Sequence, residues 1–191
     1  MVDSITSDQE RIAIEDVQKW LLQAVVGLNL CPFAKSVVVK DMVRYRVCTS
    51  ANPVDLLAML CEELSYLAEA DPEKLDTTLL IAPHALPDFL DFNDFLVDCD
   101  ELLVRLELDG VLQVADFHPR YQFGGTNVDD VENFTNRTPY PTLHLLREAS
   151  IDKAVQAYPD ASLIFERNIS TLNKLGHAGW RSLGIHPRIE G

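Results

Sequence analysis

No stretch of the chain approaches ~18 uninterrupted apolar residues, so none reads as a membrane-spanning helix. The first residues, MVDSITSDQERIAIEDVQKW, lack the basic start and apolar core of a secretory signal. A cytoplasmic location without a membrane partner is therefore expected. Cysteine is scarce and scattered. Cys31, Cys48, Cys61 and Cys99 form no Cys-x-x-Cys pair, which predicts free thiols in a reducing compartment. The sequons at Asn133, Asn136 and Asn168 are then chance matches. Basic side chains are also few, 16 Lys and Arg against 30 Asp and Glu, for a net charge of −14. Such a chain repels phosphate backbones, and no nucleic-acid partner is expected. There is no internal repeat and no low-complexity segment.

What is present suits an ordinary globular domain. A length of 191 residues favours one domain, burying roughly 70% of the surface its unfolded chain exposes. It needs neither disulfide nor metal to fold. Charge is unevenly placed. Residues 55–109 hold fifteen acids against Lys74 and Arg105, whereas 31–54 carry Lys35, Lys40, Arg44 and Arg46 against Asp41 alone. Any anion site must be a local exception.

The order of elements is legible from pattern and punctuation. Ser7 and Glu10 form a capping-box pattern ahead of Ile14, Val17, Leu21, Ala24, Val25 and Leu28 at helical spacing. MVRYRVCT alternates as a half-buried strand. Asn52 and Pro53 open a second helix whose expected inner stripe is Val54, Leu57, Cys61 and Leu64. DTTLLIAP and GVLQVADF read as further strands. Between them lies a helix with Phe89, Phe92, Leu96, Cys99, Leu103 and Leu106 inward, and with Asp91, Asp94 and Asp98 on a solvated face. Further helices are expected at about 139–157 and 160–175. The fold class is α/β, a single domain of order α-β-α-β-α-β-α-α over residues 1–176. It has a small, mainly parallel sheet of about three strands flanked by helices. Residues 177–191 read as an irregular C-terminal tail.

The segment FHPRYQFGGTNVDDVENFTNRTPYPTLHLLRE, from Phe117 to Glu148, breaks this regularity. It leaves the carboxyl end of the third strand, where open α/β sheets bind ligands. Its aromatic residues would anchor an ordered loop. Arg120, Arg137 and Arg147 offer planar donor forks for carboxylate or phosphate. Gly124 and Gly125 allow main-chain N–H groups to converge. Asn136, Arg137 and Thr138 would lie at the start of a helix, with Tyr140 beside them. The competing reading is that the arginines pair with Asp129, Asp130, Glu132 and Glu148 and only hold the loop.

His144, Arg147 and Glu148 would share one helical face. His144 could then move a proton with Glu148 orienting it, and His118 is a second candidate. A metal held by His118, His144 and Glu148 is the weaker reading, and no metal ligand is assigned. Cys31, in NLCPFAK, could act as a nucleophile beside His118 or His144, although a lone cysteine is more often a small buried hydrophobe. Cys-Pro-x-Ala lacks the second cysteine of the redox motif and follows a helix, so that reading fails. His84, His177 and His186 suggest no role.

GLNLCPFAK, FHPRYQFGGT and above all NRTPYPTLHLLRE resemble the bacterial domain-of-unknown-function family 1415. In the last stretch Asn136, Arg137, Pro139, Tyr140, Pro141, His144, Leu145, Leu146, Arg147 and Glu148 follow that family's pattern, and the resemblance covers nearly the whole chain. It implies a cytosolic bacterial protein and brings no reaction, cofactor or partner with it. From the residues, the first expectation is a small anionic ligand at loop 117–141 and the helix after it, with acid–base or thiol chemistry as an option. The alternative is a non-catalytic interaction module whose acidic stretch 55–109 meets a basic partner. A homo-oligomer is a third possibility, and the cofactor is left open.

Overall fold

The computed structural model describes residues 7–157 and 163–189. Helix α1 (Asp8–Trp20) starts in a true capping box. Glu10 N–H donates to the Ser7 hydroxyl, and the Glu10 carboxylate accepts from Ser7 N–H. Its inner residues are Ala13, Val17 and Trp20. A wider π-helical turn (Leu21–Val26) carries the chain on and buries Leu21, Ala24 and Val25. A short α2 (Ala34–Val39) then leads to β1 (Val43–Val47). Helix α3 (Pro53–Glu69) begins where the Asn52 side chain accepts from Val54 N–H, and α4 (Phe89–Arg105) where Asp88 accepts from Leu90 and Asp91. Strands β2 (Thr77–Ile81) and β3 (Leu112–Phe117) flank α4 in sequence.

The segment expected as one helix over 139–157 is divided. Thr142–Arg147 forms strand β4, and helix α5 (Glu148–Ala157) follows at once. The strand order is β1-β2-β4-β3. β1 and β2 are parallel, and β4 runs antiparallel to both β2 and β3. The α/β class and single domain therefore hold, but the sheet is four-stranded and mixed rather than mainly parallel. The reason for the misreading is burial. A central strand covered on both faces shows a continuous apolar run, and Leu143–Leu146 cannot be told from a buried helix by periodicity.

The register sorts the strand residues onto two faces. One carries Leu80, Leu112, Leu143 and Leu145, packed under Leu56, Leu60 and Leu64 of α3 and Phe92 and Cys99 of α4. Each such leucine contributes roughly 1.5–3 kcal/mol by leaving water. At the edge of this layer the buried Glu63 lies 2.7 Å from both Arg44 Nε and Arg46 Nε. The other face carries Leu79, Ile81 and Phe117 and meets α1, the π-helical turn and α6 (Ile164–Ser182). Helix α6 breaks at Gly176, whose φ of 62° suits glycine, and resumes through Ser182. Residues 177–182 are thus helical rather than part of an irregular tail. The chain beyond them is tied down, since Lys19 donates to Gly184 O and Arg188 N–H to Pro139 O.

Candidate functional site

Because β1, β2 and β3 all point the same way, their carboxyl ends lie along one edge, and the loop between Phe117 and Thr142 closes over it. Its order comes from one buried amide. Asn133, 0% exposed, accepts from Phe123 N–H at 3.0 Å and from the Thr126 hydroxyl at 2.8 Å, and donates to Asn127 O at 2.8 Å. Arg137 adds two further ties, donating to Tyr121 O at 3.0 Å and Val128 O at 2.7 Å. Asn136 donates to Asp116 O, while its own carbonyl accepts from His118 N–H. The loop is an ordered Ω-like unit rather than a linker.

Several expected site residues have structural partners here. His118 is fully buried between Phe89 and Phe92. Its Nδ1 accepts from Arg120 N–H at 3.0 Å, so Nε2 carries the proton and donates to Leu86 O at 3.1 Å. Leu86 holds the left-handed φ of 53° there, an uncommon conformation for leucine. Burial lowers the His118 pKa to about 4. Both ring nitrogens are thereby committed to the backbone. Arg147 donates to Leu67 O, Ala70 O and Leu75 O, closing the carboxyl end of α3. Tyr140 is buried and donates to Asp16 at 3.0 Å, and the Thr138 hydroxyl bonds Tyr140 O. Thr138 and Pro139 precede a strand, so the expected helix start for Asn136, Arg137 and Thr138 does not form. Gly124 and Gly125 sit at an exposed turn, and the Arg120 side chain is exposed.

His144 and Glu148 do not share a helical face. His144 is in β4, paired across to Leu79 and Ala115, whereas Glu148 opens α5 and its N–H bonds Val111 O. His118 and His144 lie on different sides of the sheet: His118 packs with Phe92 of α4, His144 beside Phe117 on the α1 side. Cys31 and His144, however, line one cavity, together with Trp20. Among the described residues no group of three or more His, Cys, Asp or Glu is arranged to hold a metal ion.

The loop does meet a cleft, against the end of α6. About 180 Å³ is enclosed by Phe134, Arg137 and Thr138 from the loop and by His177, Trp180, Arg181 and His186 beyond it. Trp180 stacks on Phe134 with ring centroids 4.7 Å apart, and the Arg137 guanidinium lies 4.9 Å from the centre of that same ring. Two arginines and two histidines therefore line one cleft, with no acid among its described lining residues. With this geometry the sequence match is informative. Residues 12–182 match the model of the family described as Protein of unknown function (DUF1415). The chain belongs to the DUF1415 family. No curated protein and no solved structure matches it.

Of the residues this DUF1415 chain brings to the cleft, only Arg137 and Thr138 were expected. His177, Trp180, Arg181 and His186 belong to the stretch that had read as patternless. A signal was present all the same. From His177 to Arg188 the sequence has His177, Arg181, His186 and Arg188 and no acid, in a chain of net charge −14. No helix among the described residues is long and apolar enough to cross a membrane.

Proposed function

We propose that this protein binds a small anionic molecule, a carboxylate or phosphate, in the cleft between loop 117–141 and the end of α6. The observation that carries the reading is that Arg137, Arg181, His177 and His186 line one cleft with no acid among its described lining residues. Arg137 contributes one edge of its guanidinium to the loop carbonyls and its charge to the cleft. Arg181 has no side-chain partner among the described residues, so its donors are available to a ligand. Phe134 and Trp180 supply an apolar wall beside those donors, which suits a ligand with a flat or aliphatic body. A cytoplasmic location, expected from the lack of a secretory signal pattern, is part of the same proposal.

A thermal-shift series with inorganic phosphate, phosphate monoesters and small carboxylates tests it. A ligand at 100 times its dissociation constant adds about 2.7 kcal/mol. For a chain of this size that raises Tm by about 5–10 °C. Arg181→Ala should fold normally and lose the shift. A shift retained in Arg181→Ala, or none with any anion, would remove the proposal.

One observation favours the interaction-module reading as a second choice. Leu90, Val97 and Val104 of α4 are 70%, 60% and 65% exposed at seven-residue spacing, beside the exposed acids Asp91, Asp94, Asp98 and Glu101. An apolar stripe edged with acids suits a basic amphipathic helix. Salt-sensitive capture of a basic helical peptide, lost in Val97→Asp, is the outcome it requires.

A further inference from the structure

A second cavity, of about 330 Å³, lies on the α1 side of the sheet, floored by β2, β4 and β3 and walled by α1, α2 and α5. Its volume is about twice the ~150 Å³ that accommodates benzene, and it falls within the range of small-molecule sites. The lining is mainly aliphatic and aromatic. One polar side chain in the lining lacks a hydrogen-bond partner among the described residues. His144 has a ring contact with Phe117 and no hydrogen bond from either ring nitrogen among the described residues. Most polar groups in protein interiors are paired, so an unpartnered imidazole in a cavity wall points to a ligand.

From these observations we infer that this cavity is a binding site for an uncharged, largely hydrocarbon molecule of bicyclic or medium-chain size that carries one oxygen function. The oxygen bonds His144, and the hydrocarbon body fills the space above Leu79, Ala115 and Leu146. Charge decides the ligand class. Among the described residues the lining contains no Lys or Arg, and one acid, Asp76, which already accepts from the Ser150 hydroxyl. A carboxylate or phosphate here would be desolvated without a counter-charge, a heavy cost. The alanine at position 115, directly across from His144 in the register, keeps the space over the imidazole open. The site is separate from the anion cleft, so either can fail without the other.

The test uses the full chain and the uncharged fluorophore N-phenyl-1-naphthylamine at pH 7.5, with decan-1-ol, decanoate and decylamine as competitors. Saturable binding at one probe per chain is expected. Decan-1-ol should displace the probe at concentrations at least about tenfold below those needed by either charged homologue, a difference of about 1.4 kcal/mol. Ala115→Phe fills the cavity floor and should abolish probe binding. Should that variant fail to fold, Ala154→Phe on the half-exposed rim provides the same block. The inference is overturned by absence of saturable binding, by unchanged binding in a folded filled variant, or by equal competition from decanoate or decylamine.

Discussion

Replacing Arg147 with methionine separates a ligand-binding role from a structural one. The side chain sits on the opposite face of β4 from His144, and its guanidinium donates at 2.7 Å to Leu67 O, 2.8 Å to Ala70 O and 3.2 Å to Leu75 O. Those carbonyls belong to the last turn of α3 and the link into β2, which have no further helical donors. Hydrogen bonds to a charged group are worth about 1.5–3 kcal/mol each. Three would give about 4.5–9 kcal/mol if fully buried and independent. The group is partly exposed, and water will re-solvate some of the carbonyls, so about 3 kcal/mol is the expected loss. Methionine keeps most of the aliphatic stem and isolates the polar term. Urea unfolding should show the midpoint falling with the slope unchanged, and Tm should drop by about 6–12 °C. Anion binding at the cleft should survive in the folded variant. A loss below about 1 kcal/mol, or selective loss of anion binding in a fully stable variant, would refute the assignment of Arg147 to α3.

Three other outcomes follow from the same geometry. The folded pKa of His118 is about 4 against an ordinary 6.5, so the unfolded chain takes up the proton first as pH falls. The stability this provides is complete above about pH 6.5 and is lost between there and pH 4; wild type should lose about 2–3 kcal/mol more than His118→Gln over that window, read by urea unfolding at each pH. Asn133→Ala removes three hydrogen bonds from the loop and should cost about 3 kcal/mol, with proteolytic cleavage appearing between Tyr121 and Asp130. Burial pushes the Cys99 thiol up to about 12 and raises that of Cys48, so both should resist a thiol reagent at pH 8 until the protein is unfolded.

The elements with strong local punctuation were readable from sequence. Ser7 with Glu10, Asn52 with Pro53, and the phased apolar residues of α4 mark their helices because caps and amphipathic faces are local properties. The stripe of α3 was misplaced in part: Leu64 is buried and Leu57 and Cys61 pack against the core, but Leu56, Leu60 and Leu67 are also fully inward and Val54 is 69% exposed. In a helix so rich in leucine several registers fit the pattern, and only tertiary packing selects one. Strand β4 was missed for a related reason. Its partners are β2 and β3, and being buried between two layers removed the alternation that would have marked it. Thr138 followed by Pro139, just before the strand, looked like the start of a helix. The candidate cleft was legible as a region rather than as a set of residues. Arg137 and Thr138 do reach the cleft, but their partners come from the far end of the chain, where separation in sequence hides proximity in space. The fates of His118 and Arg147 depend on the backbone carbonyls of Leu86 and Leu67, which no motif encodes.

Histidine-selective NMR of the full chain, titrated with phenyl phosphate and with benzoate, tests the anion cleft most directly. The account predicts saturable shifts of the exposed His177 and His186 rings, with His118 and His144, which lie outside the cleft, unmoved, and loss of the response in Arg181→Ala. Stationary His177 and His186 signals under both anions, or an undiminished response in Arg181→Ala, would contradict it.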